Sequence, residues 1–199
     1  YSKEELNGLA EVFKQHPAIY ILSDEIYEHI NYIGKHESIA QFDFLKERVI
    51  LINGLSKAFA MTGWRLGYFA ANTEIVKACD KIQGQFTSAA CSITQRAAIE
   101  ALTGNLQPTQ LMIEEFRKRR ARVMELVKDI PGFICNEPPG AFYIFPDVSY
   151  YFGKKTSKGE TIANADDLCM YLLNEAHVTT VSGKGFGEPH CIRISFANS

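Results

Sequence analysis

Lys57 and Arg65 are the residues of this chain whose types and spacing first suggest chemistry. They lie in the run NGLSKAFAMTGWRLGY (residues 53–68), whose other members are apolar, small or uncharged. An unpaired charge in apolar surroundings is unfavourable, so two charges here indicate a ligand that pairs with both. A lysine amine can attack a carbonyl carbon, and the planar fork of a guanidinium suits phosphate. The pair therefore predicts a site for a phosphorylated aldehyde.

A carboxylate occupies the equivalent place after another apolar run. Asp24 follows AIYILS (18–23), as Lys57 follows RVILING (48–54). Ligands of open α/β sheets bind beyond the carboxyl ends of the strands, so we expect both side chains to face one crevice. A turn or a helix cap remains the alternative for Asp24, because aspartate commonly fills both roles.

Three segments resemble the class I/II aminotransferases, and more finely the aspartate aminotransferases of the common prokaryotic subgroup. The first is the family's pyridoxal-phosphate attachment segment, found here in residues 53–68. SDEIYE (23–28) resembles its strand-end motif, and CIRISFANS (191–199) resembles its carboxylate-binding segment. The resemblance covers essentially the whole chain. The matching positions of the attachment segment are Gly54, Leu55, Ser56, Lys57, Gly63, Arg65 and Gly67.

The resemblance implies pyridoxal 5'-phosphate as the cofactor and assigns roles around it. Lys57 is expected to form the Schiff base with its aldehyde and then to act as the catalytic base. Asp24 is expected to pair with the pyridine nitrogen, and Tyr27 with the ring hydroxyl oxygen. Arg65 is expected to neutralise the phosphate, and Ser56 is included among the cofactor-binding residues.

Arg193 is the substrate-binding residue that the resemblance implies, because the matching arginine grips the substrate's α-carboxylate. From the residues alone, its alternation with isoleucines also fits a solvent-facing position, and Tyr27 also fits the core. One position departs from the family's pattern. Gly54 stands where many relatives have a phosphate-contacting serine, which would leave more of the phosphate to Arg65.

The apolar runs and the resemblance together predict an α/β fold. Residues 1–106 are assigned to the C-terminal part of the large cofactor-binding domain of a pyridoxal-phosphate transferase, with a mostly parallel sheet covered on both faces and flanking helices. Residues 107–199 are assigned to a small α+β domain entered by a long helix. Trp64 to Asn72 is predicted as a strand, and the glycine-rich run SGKGFGEP (182–189) as a flexible loop.

Composition excludes several function classes. A net charge of -2 and a pI of about 6.2 argue against nucleic-acid or anionic-membrane binding, which needs a basic excess. The basic run FRKRRARV (116–123) is predicted to lie on the solvated face of the long helix. No apolar run approaches the length of a membrane helix, and the five scattered cysteines predict free thiols in the cytoplasm. No metal site is predicted from the histidine and cysteine spacing.

These observations predict a C-terminal fragment of a pyridoxal-phosphate-dependent aminotransferase. The expected reaction transfers an amino group between aspartate and 2-oxoglutarate through the Lys57 Schiff base. The complete enzyme is expected to be a homodimer, and the isolated fragment to be inactive. Two alternatives stay open: a non-catalytic structural or interaction domain on the same fold, and a pyridoxal-phosphate transaminase or lyase of other substrate specificity.

Overall fold

A helix with a capping box opens the chain. In the computed structural model, which describes residues 1–198, α1 spans Lys3–Gln15. The Ser2 hydroxyl accepts a hydrogen bond from the Glu5 amide, and the Glu5 carboxylate accepts one from the Ser2 amide. Each bond satisfies a backbone donor that a helix start leaves unpaired, which fixes the start of this helix at Ser2.

The described chain divides into two units, Tyr1–Leu111 and Met112–Ser199. The first unit carries α1 and a three-stranded sheet, and the second carries a three-stranded sheet of shorter strands. The assignment of residues 1–106 and 107–199 to a cofactor-binding and a small domain stays a prediction, because compactness alone does not identify a domain's role.

The sheet of the first unit has the order β1-β2-β3. Its strands are β1 (Ile21–Asp24), β2 (Val49–Gly54) and β3 (Gly67–Ala70). β1 runs parallel to β2, and β3 runs antiparallel to it. The sheet is therefore mixed, and only one of its two strand pairs has the predicted parallel direction.

Apolar packing covers part of this sheet. The residues of β3 are all exposed, so the described residues do not cover the sheet on both faces, as the apolar runs had predicted. A core nevertheless forms where α1 and the segment before β2 pack against the first residues of β1 and β2. The parallel pairing of the two strands places their carboxyl ends side by side. The buried members of the core are Leu6, Ala10, Ile21, Ile39, Leu45 and Val49.

Three helices follow the sheet. α2 (Thr73–Phe86) is capped by Asn72, whose side chain accepts a hydrogen bond from the Ile75 amide. α3 (Ser92–Thr103) follows, and α4 (Gln107–Lys128) is the long helix predicted from the sequence. No helix among residues 1–198 combines the length and the apolar character needed to span a membrane.

The second unit is built on a small antiparallel sheet of order β4-β6-β5. Its strands are β4 (Tyr143–Ile144), β5 (Val181–Ser182) and β6 (Ile192–Ser195), with α5 (Ala165–Ala176) between β4 and β5. Antiparallel strands with a helix are typical of the α+β class predicted for this part of the chain. The buried core consists of Val148, Ile162, Ala165, Leu168 and Ile192.

Candidate active site

The predicted reactive residues of the first unit meet at the carboxyl ends of two parallel strands. Asp24 is the last residue of β1 and faces Ile52 of β2, while Lys57 follows the end of β2. The Lys57 amine lies 5.8 Å from the ring centroid of Tyr27, and both residues are half-buried. The structure thus brings Lys57 and Tyr27 together at the strand edge where Asp24 ends its strand.

Asp24 also shows the alternative role considered for it. One carboxylate oxygen, Oδ1, accepts a hydrogen bond from the Ile26 amide at 3.2 Å, which is the pattern of an Asx turn. This bond fixes the exposed carboxylate at the end of β1. It uses one of the roughly four acceptor positions of a carboxylate, so the others are available to a ligand.

The segment that carries Lys57 is a tight turn with left-handed backbone. The Lys57 carbonyl accepts from the Ala60 amide at 3.3 Å. Ala60 and Arg65 both have φ of 53°, a region that costs a non-glycine residue about 1 kcal/mol or more. Ser56 is half-buried in the same turn. Strain of this kind persists only where the surrounding contacts fix the chain, and it often accompanies functional sites.

Gly54 is required by close backbone packing. A Cβ there would lie 3.1 Å from the Cα of Gly67, 3.1 Å from the carbonyl oxygen of Leu66 and 3.2 Å from Cδ1 of Ile26. The sequence departure at this position therefore has a structural counterpart, because a serine could be accommodated only if β3 or the Ile26 side chain shifted.

Arg65 lies at the far end of the same segment. It is exposed, and its Nη1 donates to the Thr62 carbonyl at 2.8 Å. The predicted strand from Trp64 is wrong at its start, because Thr62–Trp64 form a 3-10 turn and the left-handed Arg65 ends it. β3 then begins at Gly67, which pairs with Gly54 at the end of β2. Arg65 therefore lies just before β3, near the strand end that precedes Lys57.

Sequence reasoning did not find a buried carboxylate next to Asp24. Glu25 is 7% exposed, and its carboxylate accepts from the hydroxyls of Ser23 at 3.0 Å and Ser38 at 2.6 Å. Its other oxygen lies 2.6 Å from Nε2 of His36. A buried carboxylate needs such partners, and these tie the turn between Asp24 and Tyr27 to a later loop. The only available sequence signal was the polar character of HES (36–38).

Glu28 extends this polar group. A carboxylate oxygen of Glu28, a carboxylate oxygen of Glu25 and a ring nitrogen of His36 all lie within 4.8 Å of one another. The spacing of histidines in the sequence does not reveal this arrangement. The hydrogen bonds of Glu25 already account for the grouping, so we assign it no metal. Burial, together with the Glu28 carboxylate, raises the pKa of Tyr68, whose strand borders the site.

Arg193 belongs to the second unit, on the central strand β6, where it is half-buried. Its guanidinium carbon lies 4.6 Å from the ring centroid of Tyr143 and 4.6 Å from that of Phe186. The side chain is thus neither fully solvent-facing nor fully buried, and two aromatic rings contact it. Its motif ends at Ser199, which lies outside the described residues.

The glycine-rich run before β6 forms a closed turn. Gly183–Phe186 is a short 3-10 helix, and the Gly183 amide donates to the Cys191 carbonyl at 2.7 Å. A Cβ on Gly183 would lie 2.2 Å from the Glu188 carbonyl oxygen, so only glycine fits. The predicted flexible loop is therefore a hydrogen-bonded turn that places Phe186 beside Arg193.

Comparison with known proteins gives a consistent result. The family model described as "Aminotransferase class I and II" matches residues 1–199. A bifunctional aspartate aminotransferase and glutamate/aspartate-prephenate aminotransferase of Petunia hybrida is 45% identical over 100% of this chain and 42% of its own length. The solved aspartate aminotransferase of Rhizobium meliloti has a TM-score of 0.95 and 41% identity, over 100% of this chain and 50% of that one.

A third similar protein carries a different name. The solved aromatic aminotransferase of Pyrococcus horikoshii has a TM-score of 0.89 and 34% identity, and the match covers 100% of this chain and 52% of that one. The chain thus spans about half the length of the relatives it matches.

Proposed function

The chain belongs to the class I and II aminotransferases, a family that depends on pyridoxal phosphate, and we propose that Lys57 anchors this cofactor. The observation that carries the proposal is the Lys57 amine beside the Tyr27 ring, at the strand edge where Asp24 ends β1. The proposed reaction transfers an amino group between an amino acid and a 2-oxo acid.

The residues at this edge fit the chemical groups of the cofactor. An amine suits its aldehyde, a carboxylate suits its pyridine nitrogen, and a guanidinium suits its phosphate. The segment that carries the lysine is open at Gly63, where a Cβ would meet no atom within 4 Å. These features support cofactor binding at this edge.

The side chains divide the work of binding and proton transfer. Lys57 would hold the cofactor through its amine Nζ and, when this amine is free, would take the proton from the substrate's Cα. Asp24 would pair with the pyridine nitrogen, and Tyr27 would donate a hydrogen bond to the ring oxygen. Arg65 would bind the phosphate, and Ser56 is among the proposed cofactor-binding residues. When bound, the cofactor supplies the electron sink for the bond broken at the substrate's Cα.

Arg193 is the proposed binding residue for the substrate's α-carboxylate. A guanidinium presents paired N–H donors that match a carboxylate in one plane. Within residues 1–198 this guanidinium contacts two aromatic rings and forms no hydrogen bond or ion pair. Its donors are therefore available to an anion.

Aspartate and 2-oxoglutarate are the proposed substrates. Support comes from the names of the relatives, since the proteins that are 45% and 41% identical to this chain are named as aspartate aminotransferases. A homodimer and a cytoplasmic location remain proposals based on the sequence resemblance and on the five free cysteines.

Transamination by the protein at its full natural length tests this function. The protein, supplied with pyridoxal phosphate, is mixed with aspartate and 2-oxoglutarate, and glutamate formation is measured. We expect turnover in the unchanged protein, background rates in Lys57→Ala, and unchanged rates in Lys77→Ala, which removes an exposed lysine of α2.

Two results would redirect the proposal. Faster turnover with aromatic amino acids than with aspartate would favour the other substrate class while keeping the lysine chemistry. Absence of turnover with every amino acid, together with no change in absorbance when pyridoxal phosphate is added, would support the non-catalytic alternative.

A further inference from the structure

The guanidinium of Arg193 contacts two aromatic rings supplied by separate elements of the second unit. Tyr143 pairs with Ser195, two residues along β6 from Arg193, so Tyr143 is its diagonal neighbour on the same face of the sheet. Phe186 follows β5, whose Val181 pairs directly with Arg193. One ring therefore comes from β4 and the other from the turn after β5, the two strands that flank β6. We call Tyr143, Arg193 and Phe186 the arginine clamp.

Phe186 is held in place although it is 51% exposed. Its ring meets that of Phe145 edge to face, with centroids 6.0 Å apart and planes at 88°. The turn that carries it is closed by hydrogen bonds from the Glu188 amide to the Gly183 carbonyl at 3.1 Å and from the Cys191 amide to the Glu188 carbonyl at 3.0 Å. The turn therefore holds the exposed Phe186 ring in a position where it contacts Arg193.

The clamp and a carboxylate use different parts of the guanidinium. Aromatic rings attract a cation placed over their faces, whereas the N–H donors of arginine lie in the guanidinium plane. A ligand carboxylate can therefore bind at the edge while the rings stay in contact. Because a long arginine side chain loses rotamer freedom when it binds, fixing it beforehand strengthens binding.

We propose that Phe186 is a positioning residue that holds the Arg193 guanidinium against Tyr143 in the orientation that receives a carboxylate. This inference rests on the proposed function, in which Arg193 binds the substrate's α-carboxylate. It gives the glycine-rich turn a role, since Gly183 and the bonds that close the turn set the position of the Phe186 ring.

Succinate titration followed by NMR tests the clamp without requiring turnover. The protein at its full natural length is labelled with ¹⁵N, and the Nε–Hε signal of Arg193 is assigned by its disappearance in Arg193→Lys. We expect Phe186→Leu to move this signal away from its ring-shielded position and to weaken succinate binding by about 3- to 10-fold. Phe186→Tyr, which keeps a ring, is expected to restore both.

A matched control and a second variant keep the result interpretable. Phe44→Leu removes another exposed phenylalanine, whose ring centroid lies 5.4 Å from the Lys14 amine in the first unit, and should change neither readout. Tyr143→Leu removes the other ring of the clamp and should weaken succinate binding as Phe186→Leu does. Unchanged succinate affinity in both clamp variants would overturn the proposal.

Kinetics separate the clamp from the proposed function. If the protein transaminates, Phe186→Leu should raise KM for the amino acid by about 3- to 10-fold and leave kcat within about twofold, because positioning a carboxylate acts mainly on binding. Turnover with an unchanged KM in Phe186→Leu would refute the clamp and leave the function standing. Weakened succinate binding in Phe186→Leu, in a protein that shows no turnover, would support the clamp and refute the proposed function.

Discussion

The two units hold their candidate functional residues by different physical means. In the first unit, hydrogen bonds of the buried Glu25 carboxylate and a strained turn fix the edge that carries Lys57. In the second, aromatic faces hold Arg193, and its polar donors are left for a ligand. Buried polar networks are sensitive to the loss of one partner, whereas a half-exposed ring contact is not. Stability should therefore depend on the first arrangement more than on the second.

Removing the Glu25 carboxylate is the strongest test of this difference. Glu25→Ala removes a buried carboxylate and leaves the half-buried hydroxyls of Ser23 and Ser38 without their acceptor, and we expect a loss of about 3 kcal/mol in the free energy of unfolding. Glu11→Ala, which breaks an exposed ion pair with Lys14, should cost less than about 0.5 kcal/mol. Urea unfolding followed by circular dichroism measures both, and equal losses would contradict the importance of the network.

Gly54→Ala should have the next largest effect. The added methyl group would contact Gly67 and Leu66 at 3.1 Å, so β2 and β3 must separate slightly, and we expect a loss of about 2 kcal/mol. Gly63→Ala is the matched control, because a Cβ there meets nothing within 4 Å. Thermal unfolding of the two variants provides the comparison. A Gly54→Ala protein as stable as Gly63→Ala would mean that the strands adjust freely.

Phe186→Leu should change binding without changing stability. Phe186 is 51% exposed, so we expect its replacement to alter the free energy of unfolding by no more than about 0.5 kcal/mol. Leu45→Ala, at a fully buried position, should cost about 3 kcal/mol in the same urea experiment. A large loss in Phe186→Leu would show that the clamp is part of the structural core, and the contrast between the two units would fail.

The smallest predicted effect depends on pH. The hydroxyl and amide of Ser149 donate to the Asp147 carboxylate and hold its pKa below its usual 3.8. A lowered folded-state pKa adds stability above the unfolded-state pKa, and this stability is lost as the pH falls through the folded-state value. Asp147→Asn should therefore destabilise the protein at neutral pH and match the unchanged protein in strong acid. Urea midpoints across this range test it, and a difference that persists in acid would contradict this cause.

Contiguous motifs made much of the fold predictable. The apolar runs located β1 and β2, with Asp24 as the last residue of β1 and Lys57 shortly after the end of β2. Ser2 and Asn72 are of residue types that commonly cap helices, and α1 and α2 begin directly after them. Such features depend on neighbours in the chain, which a sequence displays directly.

Features that depend on distant residues were not visible. Glu25 and His36 are separated by a loop, and the two rings of the arginine clamp come from opposite neighbours of β6. The prediction that the basic run 116–123 lies on the solvated face of the long helix is also wrong in part. Arg120 is only 12% exposed because it pairs with Glu137 at 2.9 Å, a partner that periodicity could not supply.

The assignment of Lys57 as the cofactor-binding residue is tested most directly by chemical trapping. The protein at its full natural length is incubated with pyridoxal phosphate, reduced with borohydride and digested, and the peptides are analysed by mass spectrometry. We expect a phosphopyridoxyl group on the peptide containing Lys57, and we expect its loss in Lys57→Ala but not in Lys77→Ala. A modification confined to other lysines, or none at all, would contradict this assignment.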